Sequence, residues 1–138
     1  MTASTTYLDR IGSLLAEKGY EVTPSAEHTL RVREVTSGVA VQAVLQGDIL
    51  YLSLVCTTVP AAAVTAEVMR KMLAADNGIS TSYFQLYDAG GGKLAVTLNN
   101  FCKLQDMGAD DEDDILSCVH FLLVDVIEAR DLIGGLLK

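Results

Sequence analysis

Along this chain the spacing of apolar residues shifts between two periods, and the order of those shifts limits the fold more than any single residue. A recurrence of three to four residues marks a helix with one buried face. A period of two marks a half-buried strand. The succession predicts helix, three strands, helix, two strands, helix. Between Ser4 and Lys18, Tyr7, Leu8, Ile11, Leu14 and Leu15 draw one helical stripe. Ser4, Thr5 and Thr6 offer N-cap oxygens, and Gly19 stands where a left-handed residue ends a helix. After Gly19 the period becomes two. Leu30, Val32 and Glu34 alternate with Arg31, Arg33 and Val35. Val39, Val41, Ala43 and Leu45 share the face of a second strand, and Leu50, Leu52, Leu54 and Cys56 that of a third. Gly47-Asp48 between them is a two-residue hairpin turn.

Pro60 presets φ for a helix start, and Asn77-Gly78 closes the alanine-rich segment after it, predicting a helix over Pro60–Asp76. Tyr83 to Asp88 and Lys93 to Asn99 alternate as two further strands, joined by Ala89-Gly-Gly-Gly92. A last helix is expected over Asp110–Ile133, ended by Gly134-Gly135. The expected fold is α+β, with an antiparallel five-stranded sheet packed with helices in the order α-β-β-β-α-β-β-α. No repeat, linker or low-complexity tract divides residues 1–138, so a single domain is expected.

Composition narrows the function classes. Half of the 138 residues are hydrophobic, which argues against disorder. A net charge of -8, without a Lys/Arg cluster, would meet repulsion from a phosphate backbone, so a nucleic-acid partner is not expected. The longest apolar run, Val119 to Ile127, is broken by His120 and Asp125 and is too short to span a bilayer. Neither a membrane partner nor a secretory leader is expected, and the expected location is cytoplasmic. Cys56, Cys102 and Cys118 are odd in number and lack C-x-x-C spacing, which predicts free, mostly buried thiols in place of a zinc site or disulfide framework.

The polar features have ordinary explanations. Asp110-Asp111-Glu112-Asp113-Asp114 lacks the alternating ligands and central glycine of a calcium loop. Acids at a helix start answer the macrodipole and the unpaired N–H groups there. Gly90-Gly91-Gly92 leads into a strand, whereas a phosphate cradle leads into a helix. Cys118 and His120, two apart on a helix, point away from each other, and His120 is expected to be a partly buried, hydrogen-bonded residue. No catalytic set, metal site or cofactor is expected. The last helix carries Ile115, Leu116, Val119, Leu122, Leu123, Val126 and Ile127, with Phe121 and Val124 on other faces. That arc is wider than one sheet contact needs, and the surplus predicts a homodimer built on the middle or last helix.

The stretch Ile49-Leu-Tyr-Leu-Ser-Leu-Val55 leads through Pro60 to Met72-Leu73-Ala-Ala-Asp-Asn77, then to Tyr83-Phe-Gln-Leu86, a glycine turn and Leu94-Ala-Val-Thr-Leu98. This succession resembles the class I type III secretion chaperones of the Tir-chaperone kind, and is similar to the YbjN-like proteins, which share the architecture. The first resemblance implies a non-catalytic bacterial dimer that holds an extended segment of a partner protein, by strand addition and apolar pockets. The second implies a regulatory or stress-linked domain, and the alternative to protein binding is a small-molecule- or metal-responsive domain using a cavity between the sheet and the last helix, near His120. The candidate residues for core or partner contact are Leu50, Leu52 and Leu54 on the sheet and Val64, Val68 and Met72 on the middle helix.

Overall fold

The computed structural model describes residues 3–136, with side chains for residues 7–135. The elements in chain order are α1 (Ala3–Glu17), β1 (Glu21–Ala26), β2 (Thr29–Arg33), β3 (Ala40–Gln46), β4 (Ile49–Pro60), α2 (Ala66–Leu73), β5 (Tyr83–Gly90), β6 (Lys93–Lys103) and α3 (Ala109–Leu136), with a short 3-10 turn at Ala61–Ala63 before α2. Among the described residues the sheet has six strands in the order β1-β2-β3-β4-β6-β5. The α+β class and the antiparallel pairing hold. The expected five strands are six, and four of them, not three, precede the middle helix.

The additional strand is β1. Its only half-buried residue is Val22, so it shows no alternation of apolar residues. Pro24 lies inside it opposite Leu30, next to a register shift between Pro24 and Ala26. A proline removes a ladder donor and is tolerated at a sheet edge, which is where β1 lies. The expected helix from Pro60 is also corrected. Pro60, at ψ 141°, is extended and ends β4. The α-helix begins only at Ala66, where the Thr65 hydroxyl accepts the Val68 N–H at 3.2 Å as its N-cap. It ends at Leu73, three residues before Asp76.

The chain forms two compact units, Met1–Ser53 with Asn100–His120 and Leu54–Asn99 with Phe121–Lys138. In the first, α1 packs on β1, β2 and β3. Ile11, Leu14 and Leu15 of the predicted stripe are buried, as are Leu30, Val32, Val41, Ala43 and Leu45 on the strands. The helix ends in a Schellman motif. Gly19, at φ +94°, donates to Ala16 O, and Tyr20 donates to Leu15 O. The β3–β4 hairpin turns through Gly47-Asp48, between the paired Gln46 and Ile49.

Before α3, the loop after Leu104 wraps around one carboxylate. Asp111 is 3 % exposed and its Oδ2 accepts the N–H groups of Gln105, Asp106 and Met107 at 2.8, 3.0 and 2.7 Å. Burial pushes its pKa up, and the three donors outweigh that and hold it below the usual carboxylate value. Arg10 donates to Met107 O at 2.6 Å, tying α1 to the same loop. Asp110, Asp111 and Glu112 of the acidic run stand in the first turn of α3, yet its one buried member, Asp111, serves the loop before the helix.

In the second unit, Leu54 and Cys56 of β4, Val96 and Leu98 of β6, Phe84 of β5 and Leu122, Val126, Ala129 and Ile133 of α3 are buried. Each fully buried Leu or Val contributes about 1.5–3 kcal/mol relative to exposure. The β5–β6 hairpin turns through Gly91 and Gly92 at φ +62° and +77°, a pair of left-handed positions that glycine adopts without strain.

Candidate protein-binding surface

In the second unit an apolar groove runs along an open strand edge. Thr65 caps the start of α2. Asn77 Nδ2 bonds Met72 O at its far end, and Asn77 Oδ1 accepts the Ile79 N–H at 2.9 Å. Eight residues is short for a helix in isolation, so these caps and the burial of Val68 and Met72 hold it. The chain then reaches β5 through Ser80 and Ser82, both bound by Asp125 of α3. Ser80 Oγ donates to its Oδ1 at 2.9 Å, Ser82 Oγ to its Oδ2 at 2.9 Å, and Ser80 N–H to Oδ1 at 3.2 Å. Asp125 is 2 % exposed, so these donors replace the water a buried carboxylate has lost.

The strand is also clamped along its length. Thr97 Oγ1 donates to Gln85 O at 3.1 Å, and Asn99 Nδ2 donates to Tyr83 O at 3.3 Å and to Thr97 Oγ1 at 2.9 Å. Beta5 is an edge strand with β6 as its one neighbour in the sheet. Edge strands present backbone N–H and C=O groups to any chain that lies alongside. Between α2 and β5 lies a groove of about 230 Å³ lined by Met69, Met72, Leu73, Phe84, Gln85 and Leu86. Leu73 is 74 % exposed and Met69 37 %. Methionine is unbranched and adapts its shape to varied apolar partners.

The six residues singled out from the sequence lie in the interior. Leu50, Leu52 and Leu54 are at most 2 % exposed, and Val64, Val68 and Met72 are buried as well. Met72 alone among them also lines the groove. The exposed apolar residues of α2 are Met69 and Leu73, each one step further round the helix from Val68 and Met72. The sequence does carry that signal, because the apolar arc of α2 is wider than a buried stripe requires.

On α3 the split is similar. Ile115, Val119, Leu122 and Val126 are buried, whereas Phe121, Val124 and Ile127 are exposed. His120 is exposed, against the expectation of partial burial. Among the described residues no group of three or more His, Cys, Asp or Glu side chains is placed to hold a metal ion, and no helix is long and apolar enough to cross a membrane.

No protein-family model and no curated protein matches the sequence. Solved structures share the fold. One is a chain of the heterodimeric ExoU–SpcU complex from the type III secretion system of Pseudomonas aeruginosa, at a TM-score of 0.59 and 19% identity, over 93% of this chain and 98% of that one. Another is YbjN from E. coli, a candidate transcription regulator, at a TM-score of 0.60 and 15% identity, over 91% of this chain and 87% of that one. Both architectures that the sequence resembles are among those whose fold the chain shares.

Proposed function

We propose that this chain is a non-catalytic, chaperone-like module that holds an extended segment of a partner protein along the β5 edge, with apolar side chains of that segment in the α2 groove. One observation carries the reading: an anchored open strand edge lies beside a groove lined by Met69, Met72, Leu73, Phe84 and Leu86. Strand addition takes affinity from main-chain hydrogen bonds and specificity from pockets that receive alternate side chains. Sharing the fold of a chain from a heterodimeric secretion complex supports a protein partner.

Affinity capture from the native cell with wild type and with the Met69→Glu/Leu73→Glu double variant tests this. Both side chains are exposed, so the variant should keep its circular dichroism spectrum and lose the captured partner. A folded variant that captures the same partner in equal yield refutes the groove.

The exposed Phe121, Val124 and Ile127 of α3 favour self-association through that helix. Light scattering should then give twice the 14.7 kDa chain mass, and Ile127→Glu should return the monomer. A wild type that is monomeric at high micromolar concentration contradicts a homodimer and leaves the groove untouched.

A further inference from the structure

Two of the three cysteines meet in the first unit. Cys102 lies near the end of β6 and is buried. Cys118 lies on α3 and is partly exposed. The Cys118 thiol donates to the Phe101 carbonyl at 3.7 Å, which places its sulfur beside the residue preceding Cys102, and each thiol perturbs the titration of the other. A second tether holds this juxtaposition. Asn100, buried on β6, donates from Nδ2 to Cys118 O at 2.9 Å, so the helix turn carrying Cys118 is fixed to the strand carrying Cys102. Cys56 is different. It lies in the other unit, and burial pushes its thiol up to about 11, against the opposing effects of Arg130 and the Leu98 backbone.

We propose that Cys102 and Cys118 form a dithiol site that a hydroperoxide converts to an intramolecular disulfide, tying β6 to α3, and that a small thiol reverses. The roles follow from access and polarity. Cys118 reaches solvent, and its interaction with Cys102 lowers its thiol below the ordinary value against the opposing effects of burial and Asp114. Cys102 is pushed up by that same interaction, by burial, and by the charges of Cys118, Asp114 and Asp111, so it stays a thiol and acts second. The Cys118 thiolate attacks one peroxide oxygen. The O–O bond breaks and hydroxide leaves, taking up the proton Cys118 shed on ionising to become water, and Cys118 is left as a sulfenic acid. The Cys102 sulfur then attacks the Cys118 sulfur. The S–S bond forms as the S–O bond breaks, and the Cys102 proton departs with the hydroxyl as water. Two thiols lose two electrons, and one hydrogen peroxide becomes two waters.

The full-length reduced protein is exposed to a small excess of hydrogen peroxide, cleared with catalase, denatured and labelled with N-ethylmaleimide. Labelled thiols should fall from three to one, the survivor being Cys56, and a linked peptide pair should contain Cys102 and Cys118. Dithiothreitol should restore all three labels. Cys56→Ser should still lose both remaining labels, and Cys118→Ser should form no internal bridge. The wild-type peptide map decides alone if Cys118→Ser fails to fold. Three labels after oxidation, a bridge through Cys56 or between chains, or sulfinic acid accumulating on Cys118 without a bridge would each overturn the proposal.

Discussion

Replacing Asp111 by alanine removes a buried charged acceptor shared by three backbone donors, that of buried Met107 and those of exposed Gln105 and Asp106, at 2.7, 2.8 and 3.0 Å. A hydrogen bond to a charged group contributes about 1.5–3 kcal/mol, and a buried N–H left without an acceptor costs about 1–3 kcal/mol. The three bonds share one oxygen and are not additive, and water reaches part of the loop. A net loss of about 3–5 kcal/mol is therefore the expectation for breaking a buried charged network. That is a large part of the roughly 5–15 kcal/mol that holds an ordinary domain folded.

Urea unfolding followed by circular dichroism at pH 7 measures the loss, with Asp113→Ala as the exposed control, expected within about 0.5 kcal/mol of wild type. Asp111→Asn keeps one acceptor oxygen without the charge and should fall between the two. The dependence on pH has a definite sign. The folded pKa of Asp111 is lowered, so its contribution is present above the unfolded value of about 3.9 and is lost as pH falls through the folded pKa. Wild type should therefore lose its advantage over Asp111→Ala in acid. An Asp111→Ala protein as stable as Asp113→Ala at pH 7, or a difference independent of pH, refutes this account of the loop.

Three further outcomes follow from the structure. Asp125→Ala strands the Ser80 and Ser82 hydroxyls and should cost about 2–4 kcal/mol in the same urea assay, with faster hydrogen exchange at the Ser80 amide. Leu52→Ala, at 1 % exposure, should cost about 2–5 kcal/mol because a packed core closes a cavity only partly. Gly91→Ala, at φ +62°, should cost roughly 1–2 kcal/mol by thermal melting although nothing crowds its Cβ, because the left-handed conformation strains any L side chain.

Those three residues also show how far the sequence speaks. Leu52 belongs to a strand whose strict alternation, next to a Gly-Asp turn, leaves one face buried in one register, so β3 and β4 were legible. Gly91 sits in a glycine triplet between two alternating runs, and the hairpin there was legible for the same reason. Beta1 was not, because an exposed edge strand with Pro24 has no buried face to impose a period. The false helix start at Pro60 arose because proline suits a helical first turn and an extended strand end alike, and Thr65, which sets the true start, lay inside the alanine-rich run. Asp111 and Asp125 could be noticed as charges but not understood. Asp125 takes its partners 43 and 45 residues earlier in the chain, and only the fold brings them together. The groove was half visible: Met72 stood among the candidate contact residues, but that the neighbouring Met69 and Leu73 face outward depends on packing against β5.

The most direct test of protein binding at this surface is photo-crosslinking in the native cell. A photoreactive residue is placed at Leu73 beside the groove, at Tyr87 on β5, and at Thr23 on the opposite sheet edge, β1. The account predicts that Leu73 and Tyr87 capture the same extended segment of one partner protein, and that Thr23 captures none of it. Capture of that partner through Thr23 alone, with Leu73 and Tyr87 silent, would contradict it.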